Sequence, residues 1–217
     1  MTALNNQAYV HLKEMILNNE LSAQEIYSET KLSRELGISR TPFRDAMHKL
    51  VQEGYLDIIP SKGFQLHQLS KKDVIETFQV RAALESFCTM EITKQADTKK
   101  ARALFTQLEK IMKHMKQIMD TSASIEDFQK YDFEFHARII NYFGNEQLQT
   151  IFDSFFYRMK RLATLSLSHK GRMDDTYQEH MKILNTMKNG DVAHIYEVTL
   201  THMNTPQRIN MEDVASY

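Results

Sequence analysis

A single cysteine (Cys88), six glycines, three prolines and no tryptophan are found in 217 residues. One thiol cannot close an internal disulfide, which points to a reducing cytoplasmic compartment. Scarce glycine and proline argue against a β-rich or loop-rich chain and in favour of helices. No apolar run approaches the roughly 18 residues a membrane helix needs, and the opening MTALNNQAYVHLKEM lacks the basic-then-apolar layout of a secretory signal. A global positive field is missing too. Net charge is −1, and residues 1–68 carry seven Lys/Arg against eight Asp/Glu. The expectation is a soluble, cytoplasmic protein whose nucleic-acid affinity, if any, resides in a local patch.

Such a patch is present. From Lys31 to Lys49 five cationic side chains face two carboxylates. The same region has a distinct local pattern. Tyr9, Leu12, Met15 and Ile16 repeat at helical spacing. A short helix over about 30–36 ends at Gly37, suited to a left-handed cap. In ISRTPFRDAMHKLVQEG, Thr41 is placed to cap the next helix, Pro42 suits its first turn, and Phe43, Ala46, Met47, Leu50 and Val51 make its buried stripe. Residues 55–59 and 64–68 read as strands joined by Pro60-Ser61-Lys62-Gly63. Helix, turn, helix and hairpin in that order make a winged helix-turn-helix. Its recognition helix carries Arg40, Thr41 and Arg44 in the first turn, where planar guanidinium forks can grip guanine edges or phosphates. Lys49 is assigned to backbone charge, and Lys62 with Gly63 to the tip of the wing. The plain alternative is that these are solvated charges on an ordinary helix.

After a short linker at 69–72 strand patterns vanish, and about six helices are expected over 71–95, 98–120, 124–143, 146–167, 174–188 and 191–212. The fold class is therefore mainly α, with a winged helix-turn-helix DNA-binding domain at 1–69. Residues 70–217 are expected to form an all-helical bundle. In YDFEFHARI, Asp132 and His136 are four apart and share one helix face. YQEHMKIL places His180 on a second helix, and LTHMN places His202 on a third. Three imidazoles and a carboxylate suit zinc, nickel or a similar divalent ion, although among nine histidines such a pair is often only a surface hydrogen bond.

The stretch LSRELGISRTPFRDAMHKLVQEGYLDIIPSKGFQL resembles the winged-helix domain of GntR regulators. The Asp-x-x-x-His, Glu-His and Thr-His segments resemble the FCD ligand-binding domain of the FadR-type subfamily, which implies that 70–217 is a domain for effector and metal binding and dimerisation. The resemblance implies that Arg40, Thr41, Arg44 and Gly63 contact DNA. It also implies that Asp132, His136, His180 and His202 bind a metal, zinc first, with nickel or manganese as alternatives. Thr30, beside Lys31, departs from the family, which often has Arg there. In VRAALE, which resembles the first sensor helix, Arg81 is a candidate for an effector carboxylate or, equally, for a salt bridge to Glu85. Arg138 and Arg158 are weaker candidates. The implied protein is not an enzyme but a regulator, a homodimer on an inverted-repeat operator in double-stranded DNA, acting as a repressor released by a small organic acid. The rival readings are a metal-dependent hydrolase-like enzyme and a regulator whose metal is structural or is itself the signal.

Overall fold

The computed structural model describes residues 3–18, 20–22 and 24–214. The chain divides into two compact units, 1–69 and 70–217. The first contains α1 (Ala3–Leu17), α2 (Glu29–Glu35), α3 (Arg40–Gln52), β1 (Leu56–Ile59) and β2 (Gly63–Leu66). The second is helical throughout: α4 (Lys71–Thr93), α5 (Lys99–Thr121), α6 (Ile125–Asn141), α7 (Glu146–Ser154), α8 (Phe156–Leu167), α9 (Arg172–Lys188) and α10 (Ile195–Asp213). The fold class expected from the sequence is the one observed. Among the described residues no helix is long and apolar enough to cross a membrane.

In the first unit, Phe43, Ala46, Met47 and Leu50 of α3 are buried with Leu12 of α1 and Phe64 of β2. Burying each large apolar side chain contributes roughly 1.5–3 kcal/mol, well above the ~0.2–1 kcal/mol of an exposed ion pair such as Lys31–Glu35. The apolar stripe, and not the charges, therefore decides which face of α3 looks outward. The cap differs from expectation. Helix α3 starts at Arg40 with Ser39 as its N-cap, and no side chain closes that end. Thr41 thus lies inside the first turn with an exposed side chain, its hydroxyl not used as the cap.

Strands β1 and β2 pair antiparallel, with Leu56 opposite Leu66 and Ile59 opposite Gly63. Tyr27 adds a bridge to Phe64, with backbone hydrogen bonds of 2.7 and 3.0 Å. Gly63 sits at φ +136, and a Cβ there would lie 2.0 Å from the Tyr27 carbonyl oxygen. Its role inside this unit is accordingly steric. Gly63→Ala is expected to destabilise the hairpin by on the order of 3 kcal/mol, the range of severe backbone strain. Hydrogen–deuterium exchange at Tyr27 and over 56–66 reads this as faster exchange.

The second unit is an apolar bundle whose buried set includes Leu108 and Met115 of α5, Phe128 and Phe135 of α6, and Ile183 and Met187 of α9. Ser70 and Asp73 form a capping box on α4, and Ser124 and Asn145 cap α6 and α7. Thr98 caps α5. The span 146–167 is two helices, broken at Phe155. Helices α4 and α10 are cross-linked by a 3.0 Å hydroxyl contact between Thr89 and Thr199, both buried. That pairing brings one face of each helix to the centre of the bundle.

Candidate functional site

Three helices bring three histidines together. His136 comes from α6, His180 from α9 and His202 from α10, and none is more than 3% exposed. Their Nε2 atoms face one another: His180–His136 3.2 Å, His180–His202 3.3 Å, His202–His136 3.3 Å. Asp132 Oδ1 lies 3.5 Å from His180 Nε2. One proton cannot satisfy three nitrogens arranged in a triangle. A tetrahedral ion about 2.05 Å from each nitrogen, however, sets them about 3.3 Å apart. The donor set of three buried imidazole nitrogens fits a divalent metal, and the Asp132 carboxylate stands beside one of them, His180. Of the four side chains expected from the sequence to share one centre, the three histidines meet in one cluster, and Asp132 lies at its edge against His180.

Two arginine–glutamate–histidine chains flank that centre, and sequence reasoning did not find them as a set. Arg81 donates from Nε to Glu85 at 2.8 Å, and Glu85 Oε2 lies 2.5 Å from His136 Nδ1, a contact that is short but poorly aligned for a hydrogen bond. On the other side Arg172 donates to Glu179 through both Nη groups, at 2.9 and 2.7 Å, and Glu179 meets His202 Nδ1 at 2.8 Å. Burial alone would raise both carboxyls. Arg81 and His136 nevertheless hold Glu85 down at about 2, and His202 and Arg172 hold Glu179 below the usual carboxylate range. A carboxylate at Nδ1 keeps the proton on that nitrogen and leaves the Nε2 lone pair for a metal. Burial and the neighbouring imidazoles push His180 well below its ordinary value, and burial lowers His202 against the pull of Glu179. Neutral imidazoles are what a metal requires. Glu179→Gln is expected to weaken zinc affinity about 10–100-fold, measured by competition with a chromophoric chelator.

A chamber of about 420 Å³ opens beside this centre, with Arg81, Asp132, Phe133, His136 and Lys160 among its walls. A smaller cavity of about 20 Å³ shares Arg81, Asp132 and His136 with it and continues to Thr77 and Asn210. Arg81 forms the expected salt bridge to Glu85 and also lines both cavities. Arg138 pairs with Glu134 on the surface, and Arg158 lies 3.5 Å from Asp73. Neither lines these cavities.

In the first unit the outward turn of α3 presents Arg40, Thr41 and Arg44, all exposed. Arg40 Nη2 donates to Thr30 Oγ1 at 2.7 Å, and Arg44 Nε donates to Glu29 at 3.1 Å. Both guanidiniums are therefore aimed by α2 side chains. Lys62 is exposed at the tip of the hairpin. Lys49, assigned to backbone charge from the sequence, is half-buried. Its Nζ rests 3.7 Å from the Tyr9 ring centroid and 3.9 Å from Glu53, so it is engaged within the unit rather than presented beside Arg44.

The FCD domain model matches residues 76–205, and the model of bacterial regulatory proteins of the gntR family matches residues 4–66. The HTH-type transcriptional regulator YdhC of Bacillus subtilis is 27% identical over 198 residues, covering 91% of this chain and 87% of that one. The gluconate operon transcriptional repressor of Bacillus licheniformis is 25% identical over 177 residues, covering 80% and 68%. Among solved structures, McbR/YncC of E. coli superposes with a TM-score of 0.73 at 18% identity, covering 98% of this chain and 99% of that one. The Zn2+-bound FCD domain of TM0439 gives 0.54 at 19% identity, covering 69% and 99%. At these identities the structural likenesses establish the fold.

Proposed function

Since the chain belongs to the GntR family of DNA-binding transcriptional regulators and carries their FCD domain, we propose that it is a zinc-dependent repressor released by a small carboxylate. The observation that carries this reading is the triangle of buried Nε2 atoms opening beside a chamber that Arg81 and Asp132 also line. His136, His180, His202 and Asp132 hold the ion, which when bound supplies a coordination position for a carboxylate oxygen. Arg81 keeps Nε on Glu85 and turns its remaining N–H groups to the same carboxylate, a pairing that its planar fork allows. Glu179 fixes the tautomer of His202 through its hydrogen bond to Nδ1, and Glu85 sets its charge against Nδ1 of His136.

On the DNA side, Arg40 and Arg44 read base edges or phosphates from the first turn of α3, with Thr41 and Lys62 on phosphates. Two copies bind an inverted repeat, because symmetry doubles the contacts of one small reading unit. An exposed apolar groove on α4 and α10, with Phe87, Met90, Tyr196 and Leu200, supports a homodimer. The acid must bind one state of the dimer more tightly than the other, since equal affinity shifts nothing.

The family consists of transcriptional regulators, which sets aside the hydrolase reading. Whether the metal is sensory, structural or itself the signal is decided by thermal shift. A sensory site gives one rise in Tm with zinc and a second when a carboxylate is added to the zinc-loaded protein. A rise with zinc alone, unmoved by a panel of mono- and dicarboxylates, contradicts the effector role.

A further inference from the structure

Two stripes of side chains run away from the metal centre toward a polar dead end. On α4, Glu85, Arg81 and Thr77 recur every four residues; on α10, His202, Pro206 and Asn210 do the same. Residues four apart share a helix face, so each stripe is a line of neighbours. The Thr89–Thr199 contact and the meeting of Thr77 with Asn210 on one cavity show the helices antiparallel, with the stripes facing each other. The far ends are unusual. Thr77 and Asn210 are both fully buried, and among the described residues neither the Thr77 hydroxyl nor the Asn210 amide nitrogen or oxygen has a hydrogen-bond partner. Burying an amide with both its donor and its acceptor unpaired is costly. Apolar residues would fill the same place without that cost.

From this we infer that Thr77 and Asn210 form a hydroxyl-reading subsite, and that the effector is a short hydroxycarboxylate. The inference rests on the carboxylate reading above and narrows it. A second carboxylate suits the subsite poorly, because an ionised carboxylate only accepts and would face the Asn210 carbonyl oxygen. A methyl group would leave three polar atoms unpaired. A hydroxyl both donates and accepts, matching the amide and the threonine together. The cavity of about 20 Å³ admits a group about the size of a water molecule, and it joins the walls of the larger chamber at Arg81, Asp132 and His136. A ligand held by its carboxylate at Arg81 and the metal side chains thus extends its hydroxyl toward Thr77 and Asn210.

Matched acids differing by one hydroxyl test this: lactate against propionate, 3-hydroxybutyrate against butyrate, malate against succinate. Each is titrated calorimetrically into the zinc-loaded full chain. At least one hydroxy acid is expected to bind about 10-fold or more tighter than its partner, as buried polar groups left unpaired penalise the deoxy ligand. Thr77→Val and Asn210→Leu, each close in shape, are expected to erase most of that ratio, weakening the hydroxy acid and tightening the deoxy acid as the unpaired polar groups are removed. Equal binding within every pair, as a fixed water retained at the subsite would produce, overturns the hydroxyl reading and leaves the carboxylate reading standing. Equal weakening of both acids by the variants overturns it too. Binding of no acid by the zinc-loaded protein overturns both readings.

Discussion

His180→Ala is expected to abolish tight zinc binding and, with it, the thermal stabilisation that zinc gives the wild type. His180 is the hub of the centre, since its Nε2 lies within 3.5 Å of His136, His202 and Asp132. Alanine leaves two imidazoles and one carboxylate with no shared focus. Zinc at a thousand times its Kd stabilises a folded protein by about 4 kcal/mol. At roughly 2–4 °C per kcal/mol for a domain of this size, that is a shift on the order of 8–16 °C. The comparison is made with and without zinc for each protein, so any cavity left by the lost ring cancels. The wild type is expected to show the full shift and the variant almost none. Metal content after gel filtration gives the same comparison independently.

The second large effect lies at the other end of the chain. Arg40→Ala and Arg44→Ala are each expected to cost about 1–3 kcal/mol of operator affinity, roughly 5- to 150-fold. Arg44 is paired with Glu29 in the free protein, with the arginine more exposed than the glutamate. An exposed pair of this kind is worth little, so trading it for a base edge or phosphate is a net gain. If Arg44 grips a phosphate, its loss also lowers the slope of log affinity against log salt by about 1; if it reads a base, the slope holds and specificity relaxes. Lys49→Ala, by contrast, should leave DNA affinity nearly unchanged, because that side chain is held over Tyr9.

The contrast between Arg44 and Lys49 illustrates what could be read from the chain alone. Local periodicity placed α3, its buried stripe and its outward arginines, and four-residue spacing put Asp132 and His136 on one face. Both signals are carried by neighbouring residues. Lys49 looked like a phosphate contact because nothing near it in sequence announces Tyr9, 40 positions away. Glu179 and Arg172 read as ordinary helix charges for the same reason. Their roles arise when α9 and α10 pack and bring Glu179 against His202. Glu85 was legible only as a partner for Arg81, four residues earlier; its second contact, to His136, is long-range. The break at Phe155 had no glycine or proline to mark it, and Ser39 rather than Thr41 caps α3 although either residue type suits that position. Thr77 and Asn210 carry no sequence signal at all. Their burial with no partner among the described residues sets them apart.

The central claim is that one carboxylate-occupied metal centre controls DNA affinity. Its most direct test is an operator titration by fluorescence anisotropy with zinc-loaded protein, in the presence and absence of the best-binding acid, on the wild type and on His180→Ala in parallel. The account predicts that the acid weakens wild-type binding by about 5- to 150-fold, the usual span of allosteric coupling, and leaves the variant's affinity where it was. An acid that shifts both proteins equally, or neither, would contradict it.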